Sequence, residues 1–150
     1  MSKRLLTIMD LHVAFGHARQ QTTAVRNLSL SIDKGQTVAL VGESGSGKSV
    51  TALSVMQLLP YPFAHHPMGS INYNGQELIG AGPSVLRAVR GNEISMIFQE
   101  PMISLNPLHT IDKQIGESLK LHKGLSGKAS RHRILELLDL YSLLAQQVDR

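Results

Sequence analysis

The segment Gly42-Glu43-Ser44-Gly45-Ser46-Gly47-Lys48-Ser49 constrains this chain more than any other part of it. It meets the pattern G-x-x-x-x-G-K-[ST], whose glycines let the backbone curl until successive N–H groups converge on phosphate oxygens. The amides from about Gly45 to Ser49 are expected to line that hollow. A helix opening at the loop adds the positive end of its dipole. Lys48 is expected to reach the β- and γ-phosphates of a nucleoside triphosphate, and the Ser49 hydroxyl to ligate Mg²⁺. A flexible Gly/Ser linker would match by chance in a chain of this length with a probability on the order of one in a hundred or less. The loop alone does not separate kinases, GTPases, motor ATPases and transporters.

The surrounding pattern fits a phosphate site. Leu28, Leu30 and Ile32 alternate with polar residues as in a half-buried strand, and Asp33-Lys34-Gly35 turns the chain. Val38–Val41 is a short apolar run of the kind buried in a parallel sheet, and it leads straight into Gly42. Val50, Leu53, Met56 and Leu58-Leu59 form a helical stripe that Pro60 and Pro62 terminate. Ile71 and Tyr73 before Asn74-Gly75 predict a tight hairpin. Ser84 is a candidate cap for a short helix ending near Gly91. Ile94–Phe98 is a further strand candidate, running into Gln99-Glu100-Pro101. Ile111, Ile115 and Leu119 mark one helix; Ile134, Leu138, Tyr141 and Ala145 mark another, so the last third reads as helical.

At 150 residues, 42% hydrophobic and 17% charged, the chain suits one globular unit or a large piece of one. It has no cysteine, which removes disulfides and thiolate metal sites. The histidines are scattered without metal-site spacing, including the adjacent His65-His66, and are expected at the surface. The N-terminal apolar run is broken at Thr7 and Asp10, too early for an export signal, and no stretch is long enough to span a bilayer. These features predict a cytosolic protein, with any membrane association made through a partner. The net charge of +4 is concentrated at Lys120, Lys123, Lys128, Arg131 and Arg133. Without an aromatic residue interleaved, that stretch reads as a solvated loop and helix face rather than a nucleic-acid platform.

Three stretches together resemble one family. They are Ala39-Leu-Val-Gly-Glu-Ser-Gly-Ser-Gly-Lys-Ser-Val-Thr-Ala-Leu53, then Arg90-Gly91, then Ile97-Phe-Gln-Glu-Pro-Met-Ile-Ser-Leu-Asn-Pro107. The sequence resembles the ATP-binding subunit of ABC transporters, in the branch of oligopeptide, dipeptide and microcin C importers, and most of all the microcin C type. The likeness runs from about Leu5 to the last helix. It implies an α/β fold: a P-loop NTPase core of the ABC ATPase kind, with an antiparallel β subdomain and the start of an α-helical subdomain. Residues 1–100 would then be the β-rich core with the phosphate loop and Q-loop, and residues 101–150 a partial helical subdomain.

The resemblance also implies roles. Gln99 stands at the Q-loop position, near Mg²⁺ and the attacking water, and relays nucleotide state to the membrane subunit. Phe15 stands where the family stacks an aromatic ring on adenine; a core position is the alternative. Val50 replaces the common threonine, leaving only its backbone for the phosphates. The implied cofactors are ATP and Mg²⁺. The implied partners are membrane permease subunits, a second nucleotide-binding domain and, indirectly, a periplasmic or extracellular peptide-binding protein, on the cytoplasmic face of the membrane. No nucleic-acid partner is implied.

The family's Leu-Ser-Gly-Gly-Gln-type signature, the strand ending in the Mg-binding Asp and catalytic Glu, and the switch His are not found in the chain. It is therefore expected to be the N-terminal part of one nucleotide-binding domain, with no catalytic residue of its own. Two other readings remain open: a non-catalytic remnant that at most binds nucleotide, and a nucleic-acid-handling P-loop ATPase with salt-sensitive binding through Lys120–Arg133. For the chain alone, steady-state phosphate release should show no rate above a Lys48→Ala control. A clear difference from that control would contradict the expectation.

Overall fold

The computed structural model of the protein describes residues 4–17, 20–98 and 105–148, with side chains described as far as residue 142. The chain gathers into two compact units, one ending at Arg87 and the other beginning at Ala88.

The first unit is built on a long antiparallel hairpin, β1 (Arg4–His17) with β2 (Gln20–Asp33). The short strand β3 (Ala64–His65) and the strand β4 (Ser70–Tyr73) also pair with β1, and β5 (Gln76–Glu77) pairs with β4. Ile8, Leu11, Val13 and Ala14 of β1 are buried with Val25 of β2, Ile71 of β4 and Leu78 just past β5. The β4–β5 hairpin is the one that Asn74-Gly75 predicts: their φ values of 48° and 90° are both positive, as a tight two-residue turn requires.

The β1–β2 ladder is not regular. Its register shifts between Ile8 and Leu11 and again on either side of Val13. Asp10 (φ 45°) and Asn27 (φ 52°) take the left-handed conformation that Asp and Asn tolerate better than other side chains. Side chains supply hydrogen bonds at this irregularity. The Asp10 N–H donates to Ser29 Oγ at 2.8 Å, the Ser29 hydroxyl donates back to Asp10 Oδ1 at 3.2 Å, and His12 Nε2 meets Asn27 Oδ1 at 2.7 Å. Gly69 lies against the same place: with φ at +109°, a Cβ there would fall 2.6 Å from Leu11 Cα and 2.7 Å from the Asp10 oxygen.

Helix α1 (Lys48–Val55) follows the glycine loop but ends before the prolines, with Met56 as its C-cap and Gln57 at φ 51°. Its buried face is Thr51, Ser54 and Val55, whereas Val50 and Leu53 of the apolar stripe are only half-buried. Polar residues occupy the inner face at little cost because Thr51 and Ser54 donate their hydroxyl protons to the carbonyls of Gly47 and Val50, at 2.9 and 2.8 Å.

Two expected strands are not formed. Val38–Val41 and Ile94–Phe98 lie outside the sheet; the second has only an isolated bridge between Arg90 and Ile94. Val41 and Ile97 are 90% and 93% exposed. A parallel strand needs a continuous hydrogen-bonded ladder with a neighbour, and among the described residues neither segment has one beyond that single bridge. The surface expectation for the histidines also fails at His66, whose Nε2 is buried without a hydrogen-bond partner. Burial, with the neighbouring His65, lowers its pKa and favours the neutral ring.

Helix α2 (Pro83–Val89) begins at Pro83, so Ser84 lies inside it and does not cap it. Proline suits a first helical position because the missing N–H would have no partner within the helix. In the second unit, α3 (Ile111–Lys123) is capped by Thr110, whose side chain accepts from the Lys113 N–H, and closed by Gly124 at φ 65°. Helix α4 (Gly127–Val148) packs against α3 through Ile134 and Ser130. Gly116 makes room there: a Cβ would meet Ser130 Oγ at 3.5 Å and Ile134 Cδ1 at 3.7 Å. Leu138 and Tyr141, expected on the same apolar stripe as Ile134, are 42% and 73% exposed.

Two measurements check the first unit. Gly69→Ala should lower unfolding stability by about 1–3 kcal/mol through strain and crowding, while Gly82→Ala, in open space, should change it by less than about 0.5 kcal/mol. Equal midpoints for the two variants in denaturant would refute the close contact at the bulge. The second concerns Glu77, whose carboxylate accepts from Ser70 Oγ and from the N–H groups of Ile71 and Ile79. Burial would raise its pKa, but the bonds from Ser70 and then the backbone outweigh burial and hold it below the ordinary 4.5. A depressed carboxylate stabilises the fold above the unfolded pKa, and that contribution disappears as pH falls through the folded value. Glu77→Gln should therefore be less stable than the parent at neutral pH, with the gap closing below the ordinary glutamate range; a gap independent of pH would contradict this.

Candidate functional site

The glycine loop rests on the β1–β2 hairpin. Gly47 is buried with φ at +88°, and a Cβ on it would lie 2.6 Å from the Ala24 carbonyl oxygen and 3.0 Å from Val25 Cγ2. Only glycine fits, both for conformation and for space. At the other end of the loop, a Cβ on Gly42 would crowd Ser46 Oγ at 2.8 Å. Between them the Ser46 N–H donates to the Glu43 oxygen at 3.2 Å, which turns the chain. Glu43, Ser44, Gly45 and Ser46 are exposed.

Gly47 is also the N-cap of α1, without a side-chain cap bond. The first N–H groups of a helix have no partner inside it, and they carry the positive end of the dipole. Lys48, Ser49 and Val50 form this first turn, and the Thr51 N–H is already bonded to the Gly47 oxygen at 2.8 Å. Ser49 is exposed and Val50 half-buried.

The Lys48 side chain turns back into the loop. Its ammonium donates to the carbonyl oxygens of Gly42 and Glu43, at 2.7 and 2.6 Å, and to Ser46 Oγ at 3.2 Å. An ammonium has three protons, so these neutral acceptors match its capacity. An anionic oxygen makes a stronger hydrogen bond to an ammonium than a neutral carbonyl does and is equipped to replace them. Ser49 follows Lys48 in the first turn and is exposed, and its hydroxyl is a hard oxygen donor of the kind Mg²⁺ takes together with phosphate oxygens.

Phe15 is half-buried on β1, with its ring centroid 6.1 Å from that of Phe63. It is paired in register with Thr22, while Val25, which touches Gly47, is paired with Val13. Thr22 and Val25 are three residue steps apart along β2, roughly 10 Å. The aromatic side chain and the glycine loop are thus set by one hairpin. Gln99 lies outside the described residues, as do Glu100 and Pro101. Among the described residues, no group of three or more His, Asp or Glu stands close enough to hold a metal ion by itself.

Three of the five basic residues singled out in the second unit have partners. Arg131 Nη1 donates to Asp112 Oδ1 at 2.9 Å, Arg133 Nη1 to Glu136 Oε2 at 2.8 Å, and Lys123 Nζ to Asn92 Oδ1 at 3.1 Å. Exposed pairs of this kind contribute little to stability; the two with Asp112 and Glu136 set a carboxylate beside an arginine and offset part of the local positive charge.

Sequence reasoning missed Phe63, which the structure sets against Phe15. A lone Phe between Pro62 and Ala64 has no periodic neighbour that would have singled it out.

The sequence pattern of the family described as ABC transporter matches residues 25–150. The peptidoglycan transport ATP-binding protein YejF of Agrobacterium fabrum is 56% identical over 134 residues, covering 89% of this chain and 24% of that protein. The oligopeptide transport ATP-binding protein OppD of Bacillus subtilis is 43% identical over 140 residues, covering 93% of this chain and 39% of that one. The chain therefore spans between a quarter and two-fifths of the length of these relatives. Among solved structures, the ATP-binding cassette MJ0796, in a dimeric post-hydrolysis state bound to ADP and Pi, superposes with a TM-score of 0.74 at 24% identity, covering 90% of this chain and 56% of that one. The fold is that of an ABC ATPase, with its antiparallel sheet and helices present as described. On the family pattern and this fold, the chain belongs to the ABC transporter family.

Proposed function

We propose that this chain binds Mg-ATP through Gly42–Ser49 as part of the motor subunit of an ABC importer for peptides or peptide-like solutes. The observation that carries the reading is the Lys48 ammonium, gathered onto three loop oxygens at the mouth of a helix whose first N–H groups have no partner within the helix. In this reading the backbone of Gly42, Glu43, Ser44, Gly45, Ser46, Gly47 and Val50 cradles the phosphates. Lys48 exchanges its carbonyl partners for phosphate oxygens, and Ser49 holds Mg²⁺. Phe15 takes the adenine, and its distance of a few strand residues from the Gly47 contact suits an extended nucleoside triphosphate. Gln99 is assigned to the Mg²⁺ and water side of the same nucleotide.

The peptide assignment draws on relatives named for oligopeptide transport, peptidoglycan transport and glutathione import, whose solutes share peptide bonds. Within that range we assign the microcin C type. Residues 1–100 form the β-rich core of one nucleotide-binding domain and residues 101–150 part of its helical subdomain. The partners are permease subunits, a second nucleotide-binding domain and, through the permease, a peptide-binding protein. None of the described helices is long and apolar enough to cross a membrane, so attachment to the cytoplasmic face would be peripheral, through the permease.

A titration of the protein with Mg-ATP by calorimetry tests the reading. The parent chain should bind, and Lys48→Ala, which removes a charge-assisted contact, should bind at least about tenfold more weakly. Equal affinity of the two proteins would overturn the assignment of the loop.

A further inference from the structure

The loop and Phe15 leave unexplained why the chain spends residues 60–66 on a detour that returns to β1. That detour is firmly placed. The Ala64 N–H donates to the Pro60 oxygen and the Gly16 N–H to the Phe63 oxygen, both at 2.9 Å, and β3 pairs Ala64 with Phe15 and His65 with Ala14. Ala64 itself is completely buried. Yet the Phe63 ring, anchored between these bonds, is 49% exposed. Packing alone would turn such a ring inward, and here it stands at the wall of a groove of about 830 Å³.

Three rings meet at that groove. Phe63 is 6.1 Å from Phe15 with planes at 50°, and 6.0 Å from His17 in an edge-on arrangement at 71°. Phe15 and Phe63 are therefore two walls of a corner, not a stack closed on itself. The rest of the lining comes from the paired strand β2 and is polar, Gln20, Gln21 and Thr22. Gly16 brings the two sides together, since a Cβ at its φ of +113° would collide with the Gln20 carbonyl oxygen. Apolar ring faces set beside amide and hydroxyl groups suit a flat heteroaromatic ring with hydrogen-bonding edges, which is a nucleobase.

We infer that Phe63 is a second binding residue for the nucleobase, forming with Phe15 a two-walled corner that favours a purine over a pyrimidine. The inference rests on the proposed nucleotide site and names what selects the base there. A purine stacked on Phe15 extends far enough to press its second ring on Phe63. A pyrimidine on the same face leaves the Phe63 wall uncovered. Gln20, Gln21 and Thr22 offer donors and acceptors to the edge of the base.

The experiment compares Mg-ATP, Mg-CTP and Mg-tripolyphosphate binding to the full protein and four variants. Tripolyphosphate reports on the loop alone, and the difference between it and ATP reports on the base. Phe63→Ala and Phe63→Leu, the second keeping apolar bulk without the ring, should weaken ATP about five- to tenfold, leave tripolyphosphate unchanged and reduce the preference for ATP over CTP. Phe63→Tyr should restore parental ATP binding. The inference is overturned if both Phe63→Ala and Phe63→Leu keep parental ATP affinity, or if ATP and tripolyphosphate weaken in parallel in both. Lys48→Ala should weaken both ligands. If it leaves both intact, the phosphate-loop reading fails, and the base site fails with it.

Discussion

Gly47 has no room for a side chain because the Ala24 carbonyl stands where its Cβ would be, and the rest of the site depends on this contact. It seats the loop against β2 and fixes where α1 starts. With the helix begun there, Lys48 is its first residue and reaches back over the loop to the oxygens of Gly42 and Glu43. Thr51, four residues after Gly47, faces inward and bonds the Gly47 carbonyl with both its N–H and its hydroxyl. The same hairpin carries Phe15 a few residues further along. One glycine against one carbonyl thus ties the glycine loop to the hairpin that carries Phe15.

What was legible in the sequence is what local chemistry decides. The glycine pattern with Lys48 and Ser49 reads directly, as does the turn at Asn74-Gly75, since both depend on backbone conformations that few residue types adopt. The two long helices read from their period. The buried face of α1 did not. Hydropathy favours Val50 and Leu53, whereas the structure buries Thr51 and Ser54, whose hydroxyls are satisfied inside the helix.

Strands were harder because their existence depends on neighbours. Strand β1 shows no clean alternation, since the register shifts around Asp10 and Val13 break the two-residue period. Val38–Val41 and Ile94–Phe98 have the composition of buried strands, yet composition supplies no ladder to join, and the first segment and most of the second stand exposed, Ile94 and Met96 being half-buried. Phe15 was singled out only through family resemblance, and Phe63 not at all, because a two-residue pairing between β1 and β3 leaves no periodic trace.

The central claim is that the hollow between Gly42 and Ser49 receives phosphate oxygens on its amides. The most direct measurement is an amide ¹H–¹⁵N spectrum of the protein labelled at glycine, recorded before and after Mg-ATP is added. The account requires the Gly45 and Gly47 amide resonances to move strongly to higher proton frequency, while Gly80 and Gly82, in open space away from the loop, stay in place. If Gly45 and Gly47 do not move while nucleotide is bound, the phosphates lie elsewhere and the account is wrong.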